Sequence, residues 1–131
     1  MSMKTYRKHF IPLESNPDVF TGLIHRLGMS PRLAFQDIWT IDEPDLLPHP
    51  ALALILIFPT TEPYETQKAK EEGACEDYQG SGNEEDVVWF KQTINNACGL
   101  YSILHAVSNG DARDFIRKST PLYIPSAYMA S

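Results

Sequence analysis

Eight consecutive apolar residues, Ala51-Leu52-Ala53-Leu54-Ile55-Leu56-Ile57-Phe58, lie between Pro50 and Pro59. No other feature constrains the fold as strongly. Bounded by prolines, eight residues long and apolar on both faces, the run reads as a central strand in a layered sheet. It is far too short for the roughly 20 residues a membrane helix needs. The chain has 131 residues, enough for one domain that buries roughly two thirds of its unfolded surface.

Helical signals stand on either side. Asn16-Pro17-Asp18 offers an N-cap, a proline for the first helical position and an acid for the positive end of the dipole. Val19, Phe20, Leu23, Ile24 and Leu27 follow at helical spacing, and Gly28 suits the C′ position. This predicts a helix over 17–27. Leu33 to Trp39 is ambiguous, with a short strand as one reading, and Asp42 to Pro50 is a turn or one helical turn. Val87 to Phe90 is a second strand candidate. Ala97 to Val107 is apolar nearly all round and stops at Ser108-Asn109-Gly110, which predicts a central buried helix with Asn95 or Asn96 as its cap.

Charge narrows the function classes. The formal net charge is -6, and nine acidic residues against two lysines lie between Glu62 and Asp86. With Gly73, Gly80, Ser81 and Gly82 among them, 62–86 reads as an acidic, flexible, solvated loop. A chain without a basic cluster is a poor partner for nucleic acid or an anionic membrane surface. Two cysteines, Cys75 and Cys98, exclude a disulfide scaffold and leave no Cys-x-x-Cys motif. No His/Cys/Asp cluster has metal-ligand spacing. The N-terminus is basic but lacks the apolar stretch of a signal peptide. The expectation is a cytoplasmic chain, or one both cytoplasmic and nuclear, working as a monomer.

Cys98 carries the chemistry. In the first turn of its helix, unpaired N–H groups and the dipole favour the thiolate, the nucleophilic form. Gln92, six residues upstream, has an amide donor that, with the Cys98 N–H, can hold the oxyanion of a tetrahedral intermediate. Glutamine, a polar bridge, then Cys-Gly at a helix start is half of a papain-like thiol site; a cysteine in an apolar helix is also, and more commonly, an inert core residue. Cys75, among Glu71, Glu72, Glu76 and Asp77, reads as a non-reactive surface thiol. His105 cannot be the base: seven residues along the same helix is about 10.5 Å at 1.5 Å per residue. It reads as a packing histidine with a hydrogen-bond partner. His49 is a loop residue and a remote candidate, His25 a surface residue, and His9 part of a frayed terminus.

The segment Phe90-Lys91-Gln92-Thr93-Ile94-Asn95-Asn96-Ala97-Cys98-Gly99 closely resembles the nucleophile motif of the ubiquitin C-terminal hydrolases, which are papain-like cysteine deubiquitinases. Pro12-Leu13-Glu14-Ser15-Asn16-Pro17-Asp18 resembles the opening motif of that family. Leu27-Gly28 with Phe35-Gln36-Asp37-Ile38, Phe58-Pro59-Thr60-Thr61-Glu62-Pro63-Tyr64-Glu65 and Ile103-Leu104-His105-Ala106 match in order and spacing. The resemblance runs from about Phe10 to about Phe115. It implies an α/β (α+β) papain-like fold, with a central, mainly antiparallel sheet flanked by helices and the nucleophile helix packed inside. It implies Cys98 as nucleophile, Gln92 as oxyanion donor, no cofactor, and hydrolysis after the C-terminal glycine of ubiquitin. Leu13 and Asn96 are candidate substrate-binding positions, though packing explains Leu13 equally well. The acidic run also suits encounter with the basic face of ubiquitin.

The family's second half, with the catalytic histidine, its aspartate and most of the sheet, has no counterpart here. The expectation is one partial domain, from a truncated or spliced chain or a faulty gene model. The general base is absent from its matching position, and 117–131 reads as an unrelated tail. The alternative function is a catalytically dead, ubiquitin-binding fragment; a third outcome is a chain without a stable fold.

Overall fold

The structure is a computed structural model that describes residues 8–82 and 84–118. Helix α1 spans Pro17–Leu27 with the expected bounds. Asn16 is its N-cap, its Oδ1 accepting from the Asp18 N–H at 2.9 Å, and Gly28 ends it in the left-handed region at φ 115°. Phe20 and Ile24, one turn apart, are its buried pair. Helix α2 spans Glu62–Gly73 and α3 spans Cys98–Ser108. Short 3-10 segments cover Pro44–Leu46, within the expected turn, and Gly110–Phe115.

Helix α2 corrects the reading of 62–86 as a loop. Thr61 caps it by accepting from the Tyr64 N–H at 3.4 Å, and Glu62 and Glu65 sit in the first turn. Gln67 donates to Glu71 at 2.7 Å, and Lys68 lies 3.9 Å from Glu72. Local capping and i,i+4 pairs thus outweigh the high charge. All of α2 is exposed. From Ala74 onward the described residues of the segment have no regular structure; Lys91 pairs with Asp77.

The strand expectations fail among the described residues. Neither 51–58 nor 87–90 is a strand, 33–39 has no regular structure, and no sheet forms. Two isolated bridges occur, His9 with Asn95 and Met29 with Ile116. A strand exists only through its neighbour, because its N–H and C=O groups need partners, and 51–58 makes no bridge with any described residue. Leu54, Leu56 and Ile57 are 74%, 82% and 61% exposed, so the apolar run is not central. The tail from residue 119 onward lies outside the described residues.

The core sits between α1 and α3. Phe20, Ile24, Met29, Ile103 and Val107 form it, with Leu13, Leu23, Leu33, Phe35, Ile55, Phe115 and Ile116 packed around. Phe20 meets Phe35 edge-on at 5.5 Å between ring centroids. The chain after α3 returns to close the base: Ser30 N–H donates to the Phe115 carbonyl and Arg117 N–H to the Gly28 carbonyl, both at 2.8 Å. These bonds tie the end of α1 to the segment beyond α3, and so fix the depth of α3 in the core.

Candidate active site

Cys98 is the first residue of α3 and its side chain is exposed. It is therefore not the inert core cysteine that its apolar helix allowed. The buried face of α3 carries Ile103 and Val107 instead. Neither Asn95 nor Asn96 caps the helix, contrary to expectation: the N-cap is Ala97, which makes no side-chain cap hydrogen bond. Asn96 stands in the left-handed region at φ 59°, a conformation asparagine tolerates. Asn95 is committed elsewhere. Its N–H donates to the Lys8 carbonyl at 3.0 Å, its carbonyl accepts from the Phe10 N–H at 2.9 Å, and its side chain meets His9 Nδ1 at 2.9 Å. The terminus at His9 is thus pinned to the loop before Cys98 rather than frayed.

Leu13 packs against the core. It also lines an apolar hollow of about 210 Å³ with Phe10, Ile11, Leu23, Ala97 and Leu100, and Asn96 borders the same hollow. Gly99 makes this possible: a Cβ there would lie 3.3 Å from Leu13 Cβ, tighter than ordinary contact. The two residues named as candidate substrate contacts therefore meet at one hollow beside the start of α3.

Residues 88–93 run antiparallel along α3, held by side chains of the helix. Asn109 Oδ1 accepts from the Val88 N–H at 2.7 Å, and its Nδ2 donates to the Val88 carbonyl at 3.0 Å and the His105 carbonyl at 2.9 Å. His105 Nε2 accepts from the Phe90 N–H at 2.8 Å. Tyr101 Oη accepts from the Thr93 N–H at 3.4 Å. Each rung climbs four helix residues, about 6 Å, against two or three residues of extended chain at about 3.3 Å each. The side-chain amide of Asn109 thus supplies the donor and acceptor that a neighbouring strand would have supplied.

His105 is the packing histidine the spacing argument expected. Trp89 stacks on its ring at 4.9 Å and Phe90 lies at 5.5 Å. Burial pushes its pKa down, and Nε2 can accept from Phe90 only in the neutral ring. His25, read as a surface residue, is half-buried with Nε2 2.7 Å from the Leu33 carbonyl; the chain after α1 folds back over it. His49 Nε2 lies 3.2 Å from the Pro44 carbonyl. Each of the four histidines thus has a ring nitrogen bonded to a group other than Cys98. Gln92 is half-buried and donates one Nε2–H to the Ile94 carbonyl at 2.9 Å; its second N–H has no part in that bond. Among the described residues no group of His, Cys, Asp and Glu could hold a metal ion, and no helix is long and apolar enough to cross a membrane.

Sequence reasoning missed Asn109 and Tyr101. Asn109 was legible only as a helix stop, because its partner Val88 lies 21 residues away.

An exposed thiol thus opens a helix, and an amide-bearing segment is fixed along that helix, an arrangement compatible with the class of cysteine hydrolases. The comparisons agree on the class. The profile of ubiquitin carboxyl-terminal hydrolase family 1 matches residues 10–123, and the chain belongs to that family. Over 105 residues it is 41% identical to ubiquitin carboxyl-terminal hydrolase YUH1 of Saccharomyces cerevisiae, a match covering 78% of this chain and 41% of that one. It is 38% identical over 128 residues to a probable ubiquitin carboxyl-terminal hydrolase of Dictyostelium discoideum, covering 88% and 50%. It is 36% identical over 100 residues to isozyme L1 of Homo sapiens, covering 75% and 44%. The chain spans about half the length of the curated relatives it matches.

Proposed function

We propose that the chain provides the nucleophile side of a thiol-dependent ubiquitin C-terminal hydrolase, working on ubiquitin adducts in the cytoplasm without a cofactor. The observation that carries this reading is Cys98, exposed at the first position of α3, in a chain of this family. The Cys98 sulfur attacks the carbonyl carbon of the terminal glycine of ubiquitin. The carbonyl oxygen becomes an oxyanion, held by the Cys98 N–H and the free N–H of Gln92. Collapse expels the leaving group, which takes a proton, and leaves a thioester. Water then attacks the thioester, releasing the ubiquitin carboxylate and the thiol. Leu13 and Asn96 border the approach from the apolar hollow.

One observation favours a second reading. Each of the four histidines has a ring nitrogen bonded to a group other than Cys98, and no described hydrogen bond joins a histidine to the thiol. On this reading the chain binds ubiquitin without turning it over. A ubiquitin probe with a C-terminal electrophile separates the two. Labelling at Cys98 that is lost in Cys98→Ser supports the first reading. Binding of plain ubiquitin with no labelling supports the second. No binding and no labelling sinks both.

A further inference from the structure

The rungs along α3 have a consequence for Gln92. Val88 is level with Asn109, Phe90 with His105 and Thr93 with Tyr101. Gln92 therefore falls between the His105 and Tyr101 rungs, next to the latter. Tyr101 is three residues from Cys98, about 4.5 Å along the axis. Along the helix axis the segment that bears Gln92 is thus brought within about two turns of Cys98 by bonds made further down the same helix. No other regular element holds it: 87–93 belongs to no helix and no strand. Outside the helix, the side chains tying this stretch are Lys91, paired with Asp77, and Gln92 itself, bonded to Ile94.

We propose that Asn109, His105 and Tyr101 are positioning residues whose bonds to residues 88–93 set where the Gln92 amide falls along α3. The proposal rests on the reading of Gln92 as oxyanion donor. Their described bonds run to residues 88–93 and not to the thiol, and they act through the segment they hold. A bound rung fixes the register; a lost rung lets the segment slide by a residue, and a slide of one residue turns the Gln92 side chain to the opposite side.

The experiment is a double-mutant cycle on the rate at which the electrophilic ubiquitin probe labels Cys98. Gln92→Ala is expected to slow labelling about 10²-fold. His105→Phe, which keeps an aromatic ring but removes the acceptor, and Tyr101→Phe, which removes one hydroxyl, are each expected to slow it about tenfold. In the Gln92→Ala background each should change the rate by less than about twofold, because the effect runs through Gln92. His105→Gln restores an acceptor at a similar reach and should recover the rate to within about threefold of the parent. Equal slowing with and without Gln92 overturns the proposal, since it marks general loosening of the fold. Tyr101→Phe carries the cycle even where His105→Phe does not fold. A second readout does not depend on labelling: the Gln92 side-chain amide signal in a nitrogen-15 NMR spectrum. It should move in His105→Phe and return in His105→Gln. A signal that stays in place overturns the proposal. Lack of probe labelling by the parent chain overturns the enzyme reading alone and leaves the NMR arm to decide this one.

Discussion

Ile103 and Leu56 make a matched pair for testing where the stability of this chain resides. Both are aliphatic and similar in volume, yet Ile103 is fully buried and Leu56 is 82% exposed. Trimming either to alanine removes three carbons, worth about 0.8 kcal/mol each when fully buried. For Ile103 the transfer cost is about 2.4 kcal/mol. A cavity between α1 and α3 adds to it, so Ile103→Ala is expected to cost about 2.5–5 kcal/mol. Leu56 loses under a fifth of that transfer cost, about 0.4 kcal/mol, and leaves no cavity. Urea unfolding followed by far-ultraviolet circular dichroism measures both. Ile103→Ala should lower the midpoint sharply or abolish the transition, since domains of this size hold only about 5–15 kcal/mol in total. Leu56→Ala should leave the midpoint almost unchanged. A cost above about 2 kcal/mol for Leu56→Ala would refute the reasoning: 51–58 would then be packed as the central strand its composition suggests, and the core described between α1 and α3 would not be the main one.

Smaller perturbations follow from the same structure. Asn16→Ala removes the α1 cap and should cost about 1 kcal/mol in the same urea experiment, with Asn16→Ser recovering most of it. Gly28→Ala forces a side chain into the left-handed region at φ 115°; a loss of about 1–2 kcal/mol is expected, and an unchanged midpoint would contradict the described helix end. His105 has its pKa lowered by burial. As pH falls below about 6.5 the unfolded chain takes up a proton that the fold resists. Stability from this group is therefore complete above that pH and is lost as pH falls through the lowered value. Melting temperatures between pH 8 and 5.5 should fall with acid and fall less in His105→Gln; identical slopes would count against the neutral ring.

The helices were legible in the sequence because their signals are local. Asn16, Pro17 and Gly28 mark the two ends of α1 within the residues that form it. The start of α3 is likewise marked by the shift from polar bridge to apolar run, and the placement of Cys98 follows from it. Helix α2 was legible too, in Thr61-Glu62-Pro63, but the acidic composition of the following stretch masked that cap. The strands were not legible in the same sense. Apolar character at 51–58 and 87–90 shows only what each segment can do if a neighbour lies beside it. At 87–90 the neighbour is a helix, whose Asn109 amide and His105 ring take the place of a strand edge. That substitution joins residues 21 and 15 positions apart, and no periodicity announces it. The candidate site was accordingly legible as residues, Cys98 and Gln92, and not as the arrangement that relates them.

Helix α3 divides its tasks between its faces and its start. One face, at Ile103 and Val107, is buried and fixes the helix in the core. Another, at His105 and the C-cap Asn109, holds the segment leading to Gln92. The helix start carries Cys98 and has no side-chain cap. A capping Ser or Asp would bond one of the first-turn N–H groups, and an anion arriving there would have to compete with it. Here the loop before the helix is held instead by backbone and side-chain bonds between Asn95 and residues 8–10. Those bonds fix the position of the helix start without occupying its donors. The cost is an uncapped helix end, which a cap of ordinary strength would have stabilised by about 1 kcal/mol. Under the proposed function, the donors left uncapped beside the exposed Cys98 serve the negative charge that develops on the attacked carbonyl.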